Sequence, residues 1–240
     1  MLTRLLRSGE AYYQSVFHKG RSLCCADVAR PGSCAFALHN ASASLVSAAR
    51  AGLQEGRTCV TYAFLMDYGA ILAQMRQMTS PADGDAAPLP ARLVTAAGVH
   101  SMKAHDAAFF KAEVAAFLDE LATPRWKPTV VAMHTIAAPN YTSIAAAGHK
   151  QTPETVAAFN AALRDAVASV AASAGVAAAP RLVDLHEVTS ERGGGERALH
   201  ARRRFPRLDA LHFRDAFYQT AFVADALALD AARRTRDAAA

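Results

Sequence analysis

Two side chains near the end of the chain have the types and the spacing to do chemistry. They are Asp209 and His212, within Arg207-Leu-Asp-Ala-Leu-His-Phe213. Residues three apart can share one side of a turn, where the carboxylate accepts the imidazole N–H. That bond fixes the tautomer and raises the basicity of the other ring nitrogen, the arrangement that activates a serine hydroxyl. A D-x-x-H alone is more often a surface capping pair, so the surrounding chain has to decide. Four other positions bear on it: Gly98 at the end of an apolar run, His100 just after it, His134 at the end of a second run, and Asn140 behind Pro139. A glycine at a strand end lets a backbone N–H approach a developing oxyanion, and it is also ordinary punctuation. His100 and His134 read first as structural histidines near strand ends and second as lining for a substrate pocket, with Asn140.

These residues must be positioned by a scaffold, and the pattern of apolar runs predicts one. Residues 58–64, 92–97, 128–133 and 181–185 are rich in β-branched and apolar residues and read as strands. Helical spacing marks 2–17, 45–53, 65–78, 106–121, 153–173 and 213–233. Thr152-Pro153-Glu154 is a helix start, with proline at the first helical position. Residues 19–44 read as irregular, around Pro31-Gly32, and 231–240 as a frayed tail. Strands alternating with long helices predict one α/β domain over residues 1–240, a three-layer sandwich around a mainly parallel sheet. In such sheets chemistry gathers at the carboxyl ends of the strands. Asp184 and His186, just past the fourth strand, read as capping and packing residues.

Composition narrows the function. The chain has 240 residues, 52% of them hydrophobic, enough for a sizeable core in a single domain. No apolar run reaches the roughly 18 residues of a membrane span. The net charge of +5 comes from arginines crowded into 197–207 and 233–236. Phe205 is the one aromatic among them, not the series of stacking aromatics that a nucleic-acid groove requires, so nucleic acid is not an expected partner. Four cysteines, at 24, 25, 34 and 59, lack the paired C-x-x-C and downstream His of a zinc site, and no metal is expected. They suit either a local disulfide set or buried free thiols. Asn40-Ala-Ser42 and Asn140-Tyr-Thr142 are glycosylation sequons, which with the cysteines tilt localisation toward a secretory lumen or the extracellular space. Residues 1–7 carry charges too closely spaced for a signal-peptide core.

The order of these features resembles the SGNH/GDSL-like hydrolases, over residues 57–230. The closer resemblance is to the PC-esterase branch with its trichome-birefringence-like polysaccharide O-acetyltransferases. It rests on Gly98-Val-His100, Val130-Val-Ala-Met-His134 leading to Pro139-Asn140, Leu182-Val-Asp184, Val188-Thr-Ser190 and Asp209-Ala-Leu-His-Phe213. The resemblance implies acyl-ester hydrolysis or acyl transfer to a sugar hydroxyl, on an acylated small molecule or polysaccharide, without a cofactor. It makes His212 the general base, Asp209 its orienter and Gly98 a backbone oxyanion donor. The family's nucleophile lies in a Gly-Asp-Ser turn after the first strand, and this sequence has no Gly-Asp-Ser. Gly20-Arg21-Ser22 is the near match, with Ser22 as candidate nucleophile and arginine in place of the aspartate. The favoured expectation is different: residues 2–17 are the helix that follows the nucleophile turn, the first strand and its serine lie upstream of Met1, and the chain alone is weak or inactive. The alternative is a non-catalytic carbohydrate-binding or interaction module on the same fold.

Overall fold

The computed structural model describes residues 20–25, 34–39, 58–62, 67–79, 89–90, 92–139, 141, 150–174 and 179–189. The chain divides into two compact units, residues 1–65 with 70–89, and residues 66–69 with 90–240.

The first unit holds an antiparallel sheet of β1 (Gly20–Cys25), β2 (Cys34–His39) and β3 (Thr58–Tyr62), in the order β2-β1-β3. Residues 19–44 were expected to be irregular and instead supply two of its strands. The signal lay in Cys34-Ala-Phe-Ala-Leu-His39, where larger and smaller residues alternate with the period of two that a strand requires. Pro31-Gly32 stands between the two strands, which pair from Gly20 opposite His39 to Cys25 opposite Cys34. β3 falls where the strand near 58–64 was expected, but its partner is β1 and the pairing is antiparallel. It therefore belongs outside the parallel sheet. β-Branched and aromatic content predicts a strand and says nothing of its partner.

The second unit is an α/β arrangement. β4 (Arg92–Thr95), β5 (Val130–His134) and β6 (Arg181–Val183) form a parallel sheet in that order. α1 (Tyr68–Thr79) precedes β4, and its first two residues belong to this unit. α2 (Ala107–Leu121) connects β4 to β5, α3 (Pro153–Ala174) connects β5 to β6, and the short α4 (Leu185–Thr189) follows β6. Right-handed crossovers between sequential neighbours put both connecting helices on one face of a sheet. Accordingly α2 and α3 pack on each other: Phe110 stacks on Phe159 at 4.8 Å, and Lys111 pairs with Asp165 at 3.5 Å.

The helix starts follow from local chemistry. Asp106 caps α2 by accepting the Phe109 N–H at 2.8 Å, and Thr152 caps α3 by accepting the Thr155 N–H at 3.2 Å, just ahead of Pro153. The aromatic core joins Tyr68, Phe110, Phe117 and Phe159, all at or near complete burial. Trp126 is buried below α2, where its indole N–H and Arg125 both donate to the Glu120 carboxylate. The segments expected as helices at 2–17, 45–53 and 213–233, and the loop at 191–204, lie outside the described residues.

Candidate functional site

The carboxyl ends of β4, β5 and β6 bring three turns together along one edge of the parallel sheet. After β4 the chain reaches Gly98, which has φ of +117°. A Cβ there would lie 2.8 Å from Ile136 Cδ1 and 3.2 Å from the Phe110 ring. Glycine is thus demanded twice, by backbone conformation and by packing, and its α-carbon faces core side chains. His100 follows, half-buried, at the start of a short 3₁₀ turn over Ser101–Lys103. The Gln151 side chain, fully buried, donates to the Val99 carbonyl at 3.3 Å and ties this turn to the start of α3.

After β5 the chain leaves the ladder in extended form and is held by side chains. His134 is the last residue of β5 and is buried. The Thr135 N–H donates to the Val183 carbonyl at 3.0 Å. Asn160, in the middle of α3, accepts the Ile136 N–H at 2.7 Å and donates to the Ile136 carbonyl at 3.1 Å. One side-chain amide therefore satisfies both backbone groups of a single residue, as a neighbouring strand would. The Ala138 N–H donates to the Thr189 hydroxyl at 2.7 Å, from α4.

After β6 comes the most polar part of the edge. The Asp184 carboxylate accepts from the Thr135 hydroxyl at 2.9 Å, the Glu187 N–H at 3.0 Å and the Arg164 guanidinium at 2.5 Å. Partial burial works against its charge. Hydrogen bonds from Arg164, Glu187 and Thr135, with the positive charge of Arg164, outweigh that and hold the carboxyl below its ordinary range. The His186 N–H donates to Thr135 Oγ1 at 3.0 Å, and the His186 Nε2 lies 3.4 Å from the Tyr141 hydroxyl. Burial lowers the His186 pKa, the Arg164 charge adds to the effect, and Asp184 opposes it. A half-buried imidazole with a lowered pKa is neutral at neutral pH and able to accept a proton.

The sequence-predicted residues divide as follows. Gly98, His100 and His134 fall at the carboxyl ends of adjacent parallel strands. Ser22 sits inside β1, opposite Ala37 on one side and Thr61 on the other, so Gly20-Arg21-Ser22 is central strand and not a nucleophile turn. A nucleophile turn needs a sharp strand-to-helix bend, and the register of a central strand leaves no room for one. Asn140, Asp209 and His212 lie outside the described residues. Asp184 caps α4 as expected, and His186 is more than packing, since its ring meets a phenol. Sequence reasoning missed Asn160, Tyr141, Thr135 and Arg164. Asn160 alone had a signal: it is a polar residue within the apolar face of Val156, Phe159 and Leu163.

An open cleft of about 710 Å³ lies between the starts of α2 and α3, lined by Met102, His105, Lys150 and Phe159 among others. The carboxylates Asp106 and Glu154 stand at those helix starts. Among the described residues, no group of three or more His, Cys, Asp or Glu side chains is placed to hold a metal ion. No helix among them is long and apolar enough to cross a membrane. Comparison with protein-family models, with curated proteins and with solved structures finds no match for the chain.

Proposed function

We propose that the α/β unit is the scaffold of an acyl-ester hydrolase or sugar O-acyltransferase of the SGNH type, acting on an acylated small molecule or polysaccharide. The observation that supports this reading is the parallel edge itself, where Gly98 and His100 follow β4, His134 ends β5 and the Asp184–His186 turn follows β6. In this reading the sheet is the middle layer of a three-layer sandwich, and Asp209 and His212 supply the orienter and the general base. His212 takes the proton of a serine hydroxyl as its oxygen bonds to the acyl carbon, with Asp209 orienting the ring. The tetrahedral intermediate expels the alcohol, which leaves with that proton. Water or a sugar hydroxyl then takes the acyl group by the same route in reverse.

The test is covalent labelling of the full chain with a fluorophosphonate probe, alongside turnover of p-nitrophenyl acetate. Labelling and turnover that both fall at least about 10²-fold in His212→Ala support the reading, since that is the scale of a lost general base. Labelling or turnover that is as strong in His212→Ala as in the unaltered chain sinks it. A second reading, a non-catalytic carbohydrate-binding module on the same fold, is favoured by the position of Ser22 within a central strand. Binding of an acetylated polysaccharide without labelling or turnover selects it.

A further inference from the structure

The register of the antiparallel sheet pairs the cysteines. Cys25 of β1 lies opposite Cys34 of β2, and Cys24 of β1 lies opposite Cys59 of β3. These are all four cysteines of the chain, and each has a cysteine as its direct cross-strand partner. Successive residues of a strand occupy opposite faces of the sheet, and directly opposed residues share a face. Cys25 and Cys34 therefore share one face, and Cys24 and Cys59 the other.

The separations suit bonding. Opposed residues in antiparallel strands have α-carbons about 4.5 or 5.5 Å apart, depending on whether the pair is hydrogen-bonded. Disulfides span about 4.4–6.8 Å between α-carbons, so either kind of pair can be bridged. In a central strand the N–H and C=O of one residue both face one neighbour, and those of the next residue face the other. Cys24 and Cys25 are adjacent and look to different neighbours, so their two pairs are of the same kind. The geometry that permits one bridge permits the other. A single zinc ion held by all four thiolates would need them on one side, and the alternation puts two on each.

We propose that the chain carries two cross-strand disulfides, Cys25–Cys34 and Cys24–Cys59, one on each face of β1, which staple the three-stranded sheet. Each forms when two thiols give up two protons and two electrons to make one S–S bond. The electrons pass to a disulfide oxidant, such as oxidised glutathione, which is reduced to two thiols. Of the three ways to pair four cysteines, the other two join Cys24 to Cys25 or to Cys34. The first links neighbours along one strand, and the second requires both bridges to cross from one face to the other. The inference is independent of the acyl-transfer reading.

The experiment equilibrates the full chain with oxidised and reduced glutathione, blocks free thiols with N-ethylmaleimide, and weighs it. The expected oxidised chain takes no label and weighs four hydrogens less than the reduced one, and it takes four labels after phosphine reduction. In Cys34→Ser the one label falls on Cys25, and in Cys59→Ser it falls on Cys24, as located by backbone fragmentation between the two. Four labels on the unreduced wild type overturn the proposal, as does a label on Cys24 or Cys59 in Cys34→Ser. Should either variant fail to fold, stepwise acid reduction and alkylation of the wild type gives the connectivity directly. A Cys24–Cys34 or Cys24–Cys25 bridge found that way overturns it equally.

Discussion

At Gly98 a single hydrogen stands where any other residue would place a carbon against Ile136 and Phe110, in a left-handed backbone conformation. Gly98→Ala adds backbone strain to overpacking and is expected to cost about 2–4 kcal/mol of stability, read from urea unfolding followed by circular dichroism. The neighbouring turn makes a prediction in pH. The Asp184 carboxyl is held below its ordinary range, so its stabilising effect is fully present above the unfolded-state pKa and is lost as pH falls through the folded one. Asp184→Ala should therefore cost about 1–3 kcal/mol at pH 7, and the gap to wild type should close in acid. His186 acts in the same direction from a higher pH. Its folded pKa is lowered, so protonation favours the unfolded chain once pH falls below the ordinary histidine value. An NMR titration placing the His186 imidazole above that value would contradict the burial described for it.

Between elements, two side chains carry contacts that no ladder supplies. Asn160 on α3 holds both backbone groups of Ile136, and Asn160→Ala would leave a buried N–H and a buried C=O unsatisfied. The expected cost is about 2–4 kcal/mol, with faster amide exchange at Ile136 as the local readout. Glu113 on α2 accepts the Gly69 N–H at 3.2 Å, in the first turn of α1. Burial and then the nearby Asp67 charge raise its pKa, against the Gly69 hydrogen bond and His105. A raised carboxyl pKa means that the folded chain binds the proton more tightly than the unfolded one, so this group favours folding increasingly as pH falls. Glu113→Gln should accordingly raise the melting temperature at pH 7, with the gain shrinking in acid. Periodicity made the helices legible: α2 and α3 begin and end within a residue of their expected bounds, because each has an amphipathic face and an explicit cap. The contacts of Asn160 and Glu113 were not legible, since a side chain that bonds distant backbone leaves no periodic trace.

Over the whole chain, the sequence located the strands better than it sorted them into sheets. β4, β5 and β6 lie within two residues of expectation and pair in parallel, because crossover helices between successive strands leave little choice. β3 was assigned to the same sheet and belongs to the other, because its partner β1 lay in 19–44, a stretch that read as irregular. The strand-end positions of Gly98, His100 and His134 were legible from the apolar runs that precede them, whereas the place of Ser22 within a strand ladder was not.

The two units also differ in their optics. Trp126 is the only tryptophan in the chain, and it lies in the second unit, 1% exposed, with its indole N–H bonded to Glu120. A shielded indole emits at short wavelength and moves to the red when water reaches it. Intrinsic fluorescence excited at the indole band thus reports opening of the parallel unit alone, while circular dichroism sums both units. Reducing the cysteines, all of them in the first unit, should change the dichroism and leave the emission maximum where it was. A red shift on reduction would show that the two units do not unfold separately.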